Sequence, residues 1–145
     1  MKQYAYYLFD IDRTLWDFDT NARNAIFHTL DRFSRDPRLA AAVAGRQEFF
    51  DRYETVNHAL WHRYERGEIT KEELRGERFY LTFLQFYGID DREFAETFGQ
   101  AYLDRMPVET ALIPGARTVL ETLRRRGCRI AAVSNGFKEV QYRKL

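Results

Sequence analysis

Hydrophobic positions along the chain follow two different rhythms. Tyr4 to Phe9, Tyr-Ala-Tyr-Tyr-Leu-Phe, is an unbroken apolar run with no polar alternation. A short run of this kind predicts a strand buried on both faces inside a parallel sheet. It stops at Asp10-Ile11-Asp12-Arg13-Thr14, and the spacing then turns helical. Asp19 or Thr20 is placed to cap a helix that turns Ala25, Ile26, Leu30 and Phe33 inward. Gly45 separates an Ala-rich piece, 38–44, from a helix carrying Phe49, Phe50, Tyr53, Val56, Leu60, Trp61 and Tyr64 at three- and four-residue spacing. Gly67 ends that helix. Thr70-Lys71-Glu72-Glu73 has the capping-box pattern and opens another that runs to Gly88, and Asp90 to Glu93 opens a third.

The character changes at Pro107. Pro114-Gly115 begins a helix that ends at Gly127, with Arg124, Arg125 and Arg126 in its last turn. Cys128 to Val133 is a second short apolar run, closed by Ser134-Asn135-Gly136, and the chain from Phe137 onward reads as helix. The order is strand, all-helical block, helix, strand, helix. That order predicts a parallel α/β layer interrupted by a helical insertion.

Composition narrows the class. The 145 residues carry 23 basic and 22 acidic side chains, so no net field draws the protein to nucleic acid or an anionic membrane. The longest apolar runs have six residues, where a spanning helix needs about 20. Asp10 and Asp12 arrive too early for a signal peptide. One cysteine, Cys128, excludes an intrachain disulfide framework, and only 3 Pro and 8 Gly argue against long disorder. A folded, cytoplasmic protein is expected.

Chemistry gathers at the ends of the two apolar runs. Asp10 and Asp12 stand at i and i+2 at the carboxyl end of a strand, where ligands bind in open parallel sheets. Like charges this close repel, and a divalent cation with a taste for hard oxygen, Mg²⁺, relieves the repulsion. Ser134, Asn135 and Gly136 offer a hydroxyl and free amides ahead of a helix, which suits an anion. A nucleophilic carboxylate, a metal and a phosphate cradle together suit phosphoryl transfer through an aspartyl-phosphate. Either motif taken alone also reads as ordinary turn chemistry.

Leu8-Phe9-Asp10-Ile11-Asp12-Arg13-Thr14-Leu15 resembles the first motif of the haloacid dehalogenase-like (HAD) hydrolases, and Ala132-Val133-Ser134-Asn135-Gly136 resembles the second. Trp16-Asp17-Phe18-Asp19, Leu60-Trp61, Tyr64, Gly67, Ile69-Thr70 and Asn135-Gly136-Phe137 with Glu139 and Gln141 are similar to pyrimidine 5′-nucleotidases of the YjjG type. The resemblance implies a Rossmann-like parallel-sheet core, 1–16 and 106–145, incomplete in this chain, with an inserted all-helical cap, 17–105. It implies that Asp10 is the nucleophile and a Mg²⁺ ligand. Asp12 would be the acid/base, touching the metal through its backbone carbonyl. Thr14 would brace the loop, Ser134 would hold a phosphoryl oxygen, and Asn135 and Gly136 would shape the phosphate pocket. A carboxylate at Asp12 favours a phosphatase over enzymes that break carbon–halogen or carbon–phosphorus bonds, which generally lack it.

Two departures stand beside the resemblance. Arg13 occupies a position more often small or acidic, and either points away from the site, the favoured reading, or helps hold an anionic substrate. The family's later lysine and distal acids are not found by Leu145, and Lys138 and Lys144 lie in the wrong element to replace that lysine. The expectation is therefore the N-terminal part of a longer hydrolase or a truncated product, inactive alone and prone to self-association through an uncovered sheet. His58 and His62, four apart, read as part of a packed helix rather than a zinc site, His28 as surface or packing, and Cys128 as a buried thiol. The leading function is a Mg²⁺-dependent phosphomonoesterase acting on a small phosphorylated substrate, a nucleoside 5′-monophosphate. The alternatives are a phosphosugar phosphatase, a phosphomutase, or a non-catalytic remnant.

Overall fold

The computed structural model describes residues 4–144. The chain is α/β, with two parallel strands, β1 (Tyr6–Asp10) and β2 (Arg129–Val133), and seven helices among the described residues. These are α1 (Phe18–Arg32), α2 (Ala40–Ala44), α3 (Arg46–Glu65), α4 (Lys71–Tyr87), α5 (Arg92–Arg105), α6 (Ala116–Arg125) and α7 (Lys138–Lys144). The chain divides into two compact units, Met1–Asn24 with Met106–Leu145, and Ala25–Arg105, so the boundary falls inside α1.

In the helical unit, α3, α4 and α5 pack through aromatic side chains. Phe49, Phe79, Phe83 and Phe98 are fully buried, and the Tyr53 ring stacks on Phe79 with centroids 4.6 Å apart. Phe98 meets Phe79 and Phe83, each at 5.1 Å, and burial of each such side chain stabilises by roughly 1.5–3 kcal/mol. Thr70 closes a full capping box with Glu73, and Gly88 ends α4 in the left-handed conformation, φ 64°. Both local signals operate as the sequence predicts. The caps of two neighbours differ by one or more residues. Asp17, not Asp19 or Thr20, accepts from the Thr20 amide at the start of α1, and Asp91 accepts from Phe94 at the start of α5. An N-cap carboxylate accepts from the amide two or three residues further along, and these two reach three.

In the other unit, β1 and β2 pair in parallel, Tyr6 with Arg129 through Asp10 with Val133. The expectation of a strand buried on both faces is corrected here. Alternation puts Tyr6 and Leu8 on one face, 65% and 71% exposed, and β2 is exposed along its length. An all-apolar run records what a strand can bury, whereas the described residues leave this face uncovered. Tyr7 and Phe9, on the opposite face, stack with centroids 6.5 Å apart and are half-buried. Cys128 precedes β2 and is half-buried rather than buried. α7 packs against the short turn Met106–Val108.

Candidate active site

Parallel pairing decides where the polar residues emerge. Asp10 lies opposite Val133, so Asp10-Ile11-Asp12 and Ser134 leave the sheet at one carboxyl-terminal edge. Two segments separated by more than a hundred residues are thereby brought side by side.

The loop after β1 folds back on one carbonyl. Ile11 O accepts from the amides of Thr14, Leu15 and Trp16, at 3.4, 3.0 and 2.9 Å, and Ile11 itself is buried. Closing so tight a loop puts Arg13 in the left-handed region, φ 61°. The Arg13 guanidinium pairs with Asp19 at 2.8 Å and lies 4.6 Å from the centre of the Phe18 ring. Thr14 joins the loop through its backbone amide, and its side chain is exposed. Asp10 Oδ1 accepts from the Ile11 amide at 2.9 Å.

Residues 109–113 hold this loop from the other side. The Asn21 side chain donates to Ala111 O at 2.9 Å and accepts from Ala111 N at 3.0 Å, copying a backbone pair while fully buried. Trp16 donates its indole N–H to Glu109 O, Asp17 N donates to Ala111 O, and Ile113 N donates to Leu15 O. The sequence reading did not single out Asn21. A polar residue at a helical position that is otherwise apolar was the available signal.

Asp12 receives two donors from α7. Gln141 Nε2 lies 2.8 Å from Oδ2 and Lys144 Nζ lies 2.7 Å from Oδ1. Gln141 Nε2 also donates to Ser134 Oγ at 2.5 Å, and the Gly136 amide donates to the same oxygen at 3.1 Å. Burial pulls the Lys144 amine below its ordinary value, and the hydrogen bond to Asp12 opposes that shift. Its side chain is 3% exposed and its amine sits 3.9 Å from the centre of the Trp16 ring. Lys144 thus meets the second carboxylate of the pair and not the first, while Lys138 lies near the Tyr142 ring. Asn135 is exposed. A cavity of about 250 Å³ borders Ser134, Gly136, Gln141 and Lys138, and neither Asp10 nor Asp12 lines it.

Carboxylate and carbonyl oxygens suit Mg²⁺, which takes one or two protein carboxylates and fills the rest of its shell with water and phosphate. Asp10 has a carboxylate oxygen beyond the one held by Ile11, whereas both oxygens of Asp12 already accept hydrogen bonds. Asp10 is therefore the side chain of the pair with oxygen capacity left for a cation. Among the described residues, no group of three or more His, Cys, Asp or Glu side chains gathers around a common point. His58 and His62 are exposed, with His58 3.4 Å from Glu54, and His28 is exposed on α1. No helix among the described residues is long and apolar enough to cross a membrane.

Comparison with known proteins decides the family. The profile of the haloacid dehalogenase-like hydrolases matches residues 4–145. The chain belongs to this hydrolase family. Pyrimidine 5′-nucleotidase PynA of Streptococcus pneumoniae (strain ATCC BAA-255 / R6) is 32% identical over 142 residues, which cover 98% of this chain and 55% of PynA. Pyrimidine 5′-nucleotidase YjjG of Escherichia coli (strain K12) is 29% identical over 137 residues, covering 94% of this chain and 54% of YjjG. A crystal structure of Bacillus subtilis YfnB bound to magnesium superposes with a TM-score of 0.76 at 26% identity, covering 99% of this chain and 58% of that one. The chain of this HAD family member spans a little over half the length of these relatives.

Proposed function

We propose that the protein carrying this chain is a Mg²⁺-dependent phosphomonoesterase that hydrolyses nucleoside 5′-monophosphates through an aspartyl-phosphate at Asp10. One observation carries the reading: the register that sets Asp10 opposite Val133, so that a carboxylate pair and a hydroxyl share one sheet edge. The relatives named pyrimidine 5′-nucleotidases support the substrate class. The helical unit, 25–105, is assigned to the cap that selects the substrate.

The steps follow from the side chains. The Ile11 amide holds one oxygen of Asp10, and the other attacks phosphorus as the bond to the ribose oxygen breaks. Asp12, entering the reaction protonated, delivers that proton to the leaving alkoxide and recovers one from the water that attacks phosphorus and frees Asp10. The Ser134 hydroxyl donates a hydrogen bond to a phosphoryl oxygen. Mg²⁺, when bound, would be held by Asp10 and the Asp12 backbone carbonyl and would supply positive charge that offsets the repulsion between the carboxylate and the phosphate. Net, ester and water give nucleoside and phosphate.

The test is turnover by the longest product of the reading frame on nucleoside 5′-monophosphates and on sugar phosphates, with Mg²⁺ and with EDTA. The reading expects Mg²⁺-dependent release of phosphate from the nucleotides, lost in EDTA and restored by added Mg²⁺. Undiminished turnover in EDTA, with metal removal verified by elemental analysis, contradicts the metal assignment. Preference for sugar phosphates contradicts the substrate class.

A further inference from the structure

The Gln141 amide touches both halves of the site. Its Nε2 lies 2.8 Å from Asp12 Oδ2 and 2.5 Å from Ser134 Oγ, and Gln141 is buried. A carboxylate accepts only, so the amide must present nitrogen and not oxygen to Asp12. Its two N–H groups are then both used. Its Oε1 is buried without a hydrogen-bond partner among the described residues, an unfavourable arrangement that the double donation offsets.

The effect on Ser134 follows from counting. A hydroxyl has two acceptor lone pairs and one proton. Gly136 N–H and Gln141 Nε2–H occupy both lone pairs, so the serine proton is what remains, and it can only donate. A hydroxyl restricted to donating is matched to an anionic phosphoryl oxygen. Gly136 permits the arrangement, because a Cβ there would lie 2.4 Å from Gln141 Nε2 and 2.8 Å from its Cδ.

We infer that Gln141 is a positioning residue that fixes the Asp12 carboxylate and commits the Ser134 hydroxyl to donation, with Gly136 kept small to admit it. The inference rests on reading Asp12 as the acid/base and Ser134 as the phosphate ligand.

Gln141→Met keeps length and packing and removes both donors. Losing the Ser134 commitment affects every phosphate ester alike. Losing the placement of Asp12 affects only leaving groups that need a proton. A nucleoside alkoxide needs one and p-nitrophenolate scarcely does. For Gln141→Met, kcat/KM is expected to fall about 100-fold with a nucleoside 5′-monophosphate and only roughly tenfold with p-nitrophenyl phosphate. Values within about twofold of wild type for both substrates, or equal losses for both, overturn the inference. Asp10→Asn, assayed alongside, reports on the underlying reading by abolishing turnover of both substrates. A dead Asp10→Asn enzyme beside an unimpaired Gln141→Met enzyme sinks the inference alone. The contact also has a readout that needs no turnover. Gly136→Ala must push Gln141 off its partners, so it should destabilise wild type in urea and have no effect in a Gln141→Ala background. Equal effects in both backgrounds contradict it.

Discussion

The Lys144 ammonium and the Asp12 carboxylate lie 2.7 Å apart, joined across a separation of 132 residues. The lysine is nearly excluded from water and rests on the face of Trp16, whereas Asp12 is 19% exposed. Lys144→Met keeps the apolar stem on the indole and removes the charge. Breaking a buried pair from one side leaves its partner charge poorly solvated. Here Asp12 keeps Gln141 and some water, so the unfolding free energy should fall by about 1–3 kcal/mol in denaturant titration. Lys144→Arg should recover part of the loss. A Lys144→Met protein as stable as wild type contradicts the role given to the pair.

Asn21 extends the backbone pairing of Ala111 with Asp17, and the substitution pattern should show it. Asn21→Ala leaves the Ala111 amide without its partner and the Ala111 carbonyl with the Asp17 amide alone, and should destabilise by about 1–3 kcal/mol. Asn21→Asp keeps the acceptor for Ala111 N–H but sets a carboxylate against the Ala111 carbonyl, so its cost should be at least as large. Urea unfolding of both variants checks the order. An Asp variant more stable than the Ala variant contradicts the assigned geometry.

Asp91 gives the helical unit a pH signature. Its carboxyl is held below the ordinary value of 3.8 by the Phe94 amide and then by Arg38. A depressed carboxylate binds fewer protons folded than unfolded, so its contribution is complete above the ordinary value and is lost as pH falls through the lowered one. Asp91→Asn keeps an N-cap and removes the charge. The Tm difference between wild type and this variant should hold steady near neutral pH and close under acid. A difference that persists unchanged into strong acid contradicts the sign.

What the sequence reveals here is what local chemistry controls. Thr70 and Glu73 form their capping box within one turn, and Gly67 and Gly88 take positive φ where their helices end, so each is readable from a few neighbours. The two apolar runs and their polar ends are legible for the same reason. Partners far apart in sequence are not. Gln141 and Lys144 lie on an exposed-looking, charged helix, and only the parallel pairing of β1 with β2 turns them onto Asp12. Asn21 likewise shows nothing of Ala111 in its own neighbourhood. The exposure of Tyr6 and Leu8 was hidden too, because hydropathy reports an appetite for burial and not the presence of a covering layer.

During turnover Asp10 should become covalently phosphorylated. The direct measurement is acid quenching of the longest product of the reading frame during turnover of a ³²P-labelled nucleoside 5′-monophosphate with Mg²⁺, followed by peptide mapping. An acid-stable, hydroxylamine-labile label is expected on the peptide containing Asp10, and no label in Asp10→Asn. Label on any other residue, or sustained turnover by Asp10→Asn, contradicts it.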